Sequence, residues 1–155
     1  GHKMAGGFSI KTDKIERFRD FLINIFEKSN INLNENSNLY LDTTIAPSAL
    51  NEEFYQHINN LAPFGSGNNE PKFVIENLKV LKSNIIKDNH IRSVLIGKDG
   101  SVFNSFAWFA KDGPLESALN KNNKKIFNIA GKMKMNEWKG KKNVEFEIED
   151  LTIIN

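Results

Sequence analysis

The spacing of apolar residues changes character near residue 72, from a helical rhythm to an alternating one. Upstream, Ile15, Phe18, Leu22, Ile25 and Phe26 recur at three- and four-residue intervals along one face, and Asp13 stands three residues before Glu16. That combination predicts a helix over about 13–28, opened by a capping box. The asparagine-rich stretch from Ser29 to Asn38 reads as a linker, and Leu39, Tyr40 and Leu41 predict a short strand that ends before Pro47. Asn51 is placed to cap a second helix with Phe54, Ile58 and Leu61 on one stripe. Between Pro63 and Pro71, two prolines bracket Gly65 and Gly67, so regular structure stops and a boundary is expected.

From Phe73 onward the pattern predicts strands at about 72–86, 90–97, 101–110, 124–136 and 142–154. Lys98-Asp99-Gly100 supplies a tight turn between the second and third. Pro114 opens a short helix reaching about Leu119. In the last strand Val144, Phe146 and Ile148 are expected inside, with Glu145, Glu147 and Glu149 outside. In the fourth, Phe127, Ile129, Met133 and Met135 share the inward parity, which turns Lys132 and Lys134 outward. Trp108 has the parity of Phe106 and Val102 and is expected in the core. Five strands with one short helix between the third and fourth follow the order of an OB fold. The predicted class is therefore α+β, a five-stranded OB-fold β-barrel preceded by two helices.

Composition narrows the chemistry. The 155 residues are 39% hydrophobic and 26% charged, and no apolar run approaches the roughly 20 residues that span a bilayer. With no cysteine and no leader-like start, the expectation is a cytoplasmic protein without disulfides, thiolate metal sites or a membrane role. A net charge of +2 is too mild to indicate nucleic acid, so distribution has to carry that argument. Basic residues crowd between Lys121 and Lys142, and Glu145, Glu147, Glu149 and Asp150 follow, which predicts a local positive groove bounded by an acidic strand. Arg92, Lys132, Lys134 and Lys139 are the expected phosphate contacts, and Trp138, beside the Gly140 turn, is the candidate for base stacking. His2, His57 and His90 lie far apart, and no Asp-x-Asp or His-x-x-His spacing occurs. No metal site and no catalytic residue is therefore expected in this chain.

Three strings carry a family resemblance. Gly1-His2-Lys3-Met4-Ala5-Gly6-Gly7-Phe8 resembles the signature of the DHH-associated domain, with Gly6 where alanine is usual; Gly-His is also a dipeptide that tag removal leaves. Leu61-Ala62-Pro63-Phe64-Gly65, continuing through Gly67-Asn68 to Glu70-Pro71, resembles the stretch leading into the family's OB domain, with Asn69 replacing the usual proline. Weaker matches are His90-Ile91-Arg92, Asn104 to Trp108, and Asn136 to Gly140. Together they resemble the C-terminal portion of a RecJ-type single-strand-specific DNA exonuclease of the DHH family. The resemblance implies three regions: 1–35 as the end of a DHH-associated domain, 36–71 as a strand-helix lead-in and connector, and 72–155 as an OB-fold nucleic-acid-binding domain. It implies that His2 with the Gly6 and Gly7 backbone holds a substrate phosphate. It also implies a longer parent that degrades single-stranded DNA from its 5′ end in recombination and repair. That parent uses Mn or Mg on Asp and His ligands upstream, whereas the fragment has no cofactor and no nuclease activity alone. Single-stranded DNA is the implied partner. A barrel that docks a single-strand-binding protein or a helicase is the alternative.

Overall fold

The computed structural model describes residues 5–29, 38–120 and 125–154. The chain divides into two compact units, Gly1–Leu39 and Tyr40–Asn155.

In the first unit a 3-10 turn, Thr12–Lys14, runs into helix α1, Ile15–Lys28. Asp13 was expected to cap this helix. It lies instead inside the 3-10 turn, which tightens the backbone ahead of the helix, and no side chain caps α1. Phe18 packs its ring against Phe8, with centroids 4.6 Å apart, and Phe21, Leu22, Ile25 and Phe26 are exposed. The asparagine-rich linker lies mostly outside the described residues.

The second unit begins with β1, Thr43–Thr44, which pairs in parallel with the start of β2, Phe73–Ile86. A strand over Leu39–Leu41 does not form. Pairing starts only where Asp42 donates its N–H to the Lys72 carbonyl (2.8 Å) and its carboxylate accepts from Lys72 N (2.9 Å), leaving Tyr40 and Leu41 exposed. A 3-10 turn at Pro47–Ala49 precedes α2, Glu52–Asn59. Asn51 caps α2, its side-chain oxygen accepting from Phe54 N at 2.9 Å. Asn51→Ala is expected to cost about 1 kcal/mol in chemical denaturation, the usual value of such a cap. On its inner side α2 presents Ile58 and Phe54 to the core, where the Phe54 ring lies 6.0 Å from that of Phe73.

The Pro63–Pro71 segment is a compact knot. Asn68 Nδ2 donates to the carbonyls of Leu61 (2.9 Å) and Pro63 (3.0 Å), and Gly67 takes a positive φ of 85° that its lack of a Cβ permits.

The remaining elements are β3 (His90–Ile96), β4 (Val102–Ala107), α3 (Pro114–Leu119), β5 (Ile126–Trp138) and β6 (Lys141–Ile154). They form one sheet in the order β1-β2-β3-β4-β6-β5, and β5 pairs back onto β2 to close a five-stranded barrel with β1 as a sixth strand. Within the barrel only the β4–β6 pairing is parallel. The core is built from Phe73, Ile75, Leu78, Leu95, Phe127 and Phe146 with their neighbours, and Leu119 of α3 joins it.

Two inward assignments from the sequence need correction. In β4 the inward residues are Phe103, Ser105 and Ala107, whereas Val102 and Trp108 are about half exposed and Phe106 is half-buried. The cause is a buried polar pair. Ser105 Oγ donates to the Ser93 carbonyl at 3.3 Å, and Ser93 Oγ meets Ser83 Oγ at 3.2 Å, so hydroxyls occupy interior positions that alternation assigns to solvent. In β6, Val144 is only half-buried, and Glu145 keeps the outward side it shares with Lys134 but is buried there (5% exposed), where Arg92 and Asn136 compensate its carboxylate.

Candidate nucleic-acid interface

Turning β4 by one residue places its large apolar side chains on the outer wall, beside β3. Phe106 is register-paired with Arg92, so both point outward on adjacent strands. β4 ends at Ala107 because the chain then bends through Phe109, whose φ of 49° is a left-handed conformation that a bulky side chain rarely adopts. His90 fixes this bend: its Nδ1 accepts the Phe109 N–H at 3.0 Å, which places the neutral ring's proton on Nε2. The imidazole meets Trp108 and Phe109 edge-on, with centroids 4.7 and 4.8 Å away, and Phe106 meets Trp108 at 5.1 Å. Four rings from β3, β4 and the bend that follows β4 thus form one cluster in which Trp108 is 50% and Phe109 77% exposed.

A cleft of about 360 Å³ opens beside the cluster, between the β2–β3 turn and the far ends of β5 and β6. Lys87, His90, Arg92, Trp108, Lys134 and Asn136 are among its walls. Sequence alternation had put Trp108 in the interior and passed over Phe106, Phe109, Lys87 and Asn136. The available signal was the run Phe106-Ala107-Trp108-Phe109, too apolar for a strand with one wet face.

The expected cations are distributed differently from a bare groove. β5 and β6 are antiparallel, with Lys132 opposite Glu147 and Lys134 opposite Glu145, and opposed residues share a face. The lysines and glutamates therefore occupy the same wall, and the expected separation of a positive groove from an acidic face is absent. Lys134 Nζ bonds both oxygens of Glu70, at 2.6 and 2.7 Å. Lys132 lies 3.1 Å from Glu149 and 3.7 Å from Glu70, and Lys72 lies 2.6 Å from Glu149. Glu70, which closes the Pro63–Pro71 knot, thereby fastens that knot to the barrel. Arg92 pairs with Glu145.

Burial alone would raise the Glu149 carboxyl, but hydrogen bonds from Lys72 and Lys132 and their charges hold it below its ordinary 4.5. Burial likewise works against the charged form of Lys132; the hydrogen bond and charge of Glu149, with the charges of Glu70 and Glu147, outweigh it and raise the ammonium above 10.5. Glu149 thus contributes stability that is complete above its ordinary value and is lost as pH falls through its depressed folded value. Lys132 contributes stability complete below 10.5 and lost as pH rises through its raised folded value. Melting temperature should fall on the acid side below pH 4.5, and Glu149→Gln should flatten that limb.

The other sequence candidates fall elsewhere. Lys139 sits in the β5–β6 turn with a φ of 50°. Gly6 and Gly7 are exposed, and a Cβ on either would meet nothing within 4 Å, so packing among the described residues does not require glycine there. His2 and the side chain of Trp138 lie outside what is described. Among the described residues no three His, Cys, Asp or Glu side chains converge to hold a metal ion, and no helix is long and apolar enough to cross a membrane.

A closed, five-stranded mixed barrel with a helix between its third and fourth strands defines the OB class, whose members bind oligonucleotides or oligosaccharides on the face where the aromatic cleft of β3 and β4 lies. Comparison with known proteins agrees: residues 41–150 match the RecJ OB domain, and the chain belongs to that family. The fold recurs in RecJ from Thermus thermophilus, in its complex with Mn2+ (24% identity, TM-score 0.54) and in its complex with Mg2+ (21%, 0.53). These matches cover 74% and 73% of this chain and 16% of each Thermus chain, so the present sequence corresponds to a small part of those proteins. No curated protein matches it significantly in sequence.

Proposed function

We propose that this chain is the strand-gripping part of a RecJ-type 5′-to-3′ exonuclease specific for single-stranded DNA, acting in recombination and repair, with Mn- or Mg-dependent hydrolysis carried out by domains outside this sequence. The observation that carries this reading is the exposed cluster of Phe106, Trp108, Phe109 and His90 beside Arg92. Single-strand binders combine stacking rings with a cationic track, because every base offers a π-face and every nucleotide a phosphate. In this reading the rings carry bases. Arg92, Lys134, Lys139 and Lys132 serve the backbone, Arg92, Lys132 and Lys134 to the extent that a phosphate displaces the carboxylates they now pair with. Trp138 is the further residue proposed to stack a base. In the DHH-associated segment, His2 with the Gly6 and Gly7 backbone would hold a substrate phosphate.

The neutralised lysine wall favours a second reading, a docking module for a single-strand-binding protein or helicase, because a wall with few uncompensated cations attracts DNA weakly. Titrating labelled single-stranded DNA with the chain at two salt concentrations separates them. Salt-dependent binding supports the first reading, and no DNA binding together with salt-insensitive binding of such a protein supports the second.

A further inference from the structure

Resting on the single-strand reading, the cleft contains a feature that stacking does not use. Glu145 is a buried carboxylate whose Oε1 accepts from Arg92 Nη2 and, at 3.2 Å, from Asn136 Nδ2. Arg92, the outer partner, keeps 45% of its side chain exposed. All three residues line the cleft together with Phe106 and Trp108. A buried ion pair contributes little to stability compared with apolar residues of similar size, so the fold alone gives small reason to bury this carboxylate.

Recognition gives a better reason. A guanidinium only donates, through a planar fork that matches two adjacent acceptors, and a carboxylate only accepts, matching two adjacent N–H groups. Guanine offers both: O6 and N7 side by side for the fork, and N1–H beside the 2-amino group for the carboxylate. Adenine presents an amine next to a ring acceptor, which suits neither group fully. Thymine has a single N–H flanked by two carbonyls, one of which would face the carboxylate. Cytosine matches the fork but gives the carboxylate one amine. At about 360 Å³ the cleft falls in the size range of small-ligand sites, roughly 300–1,000 Å³. We infer that the Arg92–Glu145–Asn136 cleft is a guanine-selective subsite, in which Trp108 stacks the base and the ion pair reads its edge.

The test compares three labelled dodecamers by fluorescence anisotropy: alternating dT-dG, alternating dT-dA, and dT alternating with deoxyinosine, which keeps guanine's O6 and N7 but lacks its 2-amino group. The dT-dG strand should bind about tenfold more tightly than dT-dA, the order of one bidentate base contact, with the inosine strand between them. Glu145→Gln should bring guanine and inosine to equal affinity, and Arg92→Lys, which keeps the charge but loses the fork, should shrink the guanine-to-adenine ratio towards one. Melting curves establish that each variant folds; should Glu145→Gln not fold, Arg92→Lys decides. Equal binding of all three strands, with Trp108→Ala still weakening each, overturns the subsite and leaves the single-strand reading intact. Failure of all three to bind overturns both.

Discussion

Gly131→Ala is expected to prevent cooperative folding of the barrel, or to lower its stability by at least the ~3 kcal/mol upper range of ordinary overpacking. A Cβ at this position would stand 1.9 Å from the carbonyl oxygen of Glu147 and 3.1 Å from the Phe146 ring. The first obstacle is backbone, so no rotamer change relieves it. Gly131 lies where the β5–β6 register shifts: it pairs with Ile148 while Ala130 pairs with Asp150, leaving Glu149 as the extra residue of a bulge. Gly131 also pairs with Phe73 of β2, so the bulge in β6 lies beside the β2–β5 pairing that closes the barrel. Circular dichroism and thermal melting would check this, and a variant melting within a few degrees of the parent would contradict the geometry.

The second large effect concerns binding. Trp108→Ala should weaken single-stranded DNA binding about tenfold or more, since one stacked base is worth about 1–3 kcal/mol. Stability should change little, because half of the indole is already in water and the strand ends before it. The double variant Lys132→Ala/Lys134→Ala should also weaken binding and flatten its salt dependence, by about 0.7 in the log–log slope for each phosphate that is no longer neutralised. Its cost should be smaller than that of Trp108→Ala, because a phosphate reaching these lysines must first replace Glu70 and Glu149. A larger loss from the lysine pair than from Trp108 would move the binding energy from the rings to the charged wall.

The elements of the barrel were legible because alternation, turns and a proline-opened helix all reported the same order. What escaped was information that exists only after strands pair. Nothing local in the series Glu145, Glu147, Glu149 marks the first as buried on the outer wall, since its partner Arg92 is brought to it from β3. The serines of β3 and β4 look like surface residues until Ser105 Oγ is seen to donate to the Ser93 carbonyl and Ser93 Oγ to meet Ser83 Oγ of β2, and with them the parity of the aromatic face was inverted. The lysines of β5 were rightly turned outward, but their carboxylate neighbours depended on the β5–β6 register and on the docking of Glu70.

The parallel seam between β4 and β6 is only two residue pairs long, Ser105 with Phe146 and Phe106 with Glu147. Chain neighbours supply the β2–β3, β3–β4 and β5–β6 hairpins, whereas this seam and the β2–β5 pairing join segments far apart in sequence. Such long-range closures bear their loop entropy before any contact rewards it. The barrel should accordingly assemble as a three-stranded meander and a separate hairpin that shut against each other late. Phe106 lies on the closing line itself, so the full cleft exists only once folding is complete, and partly folded chains should present DNA with the rings of β4 but without the carboxylate of Glu145 beneath them.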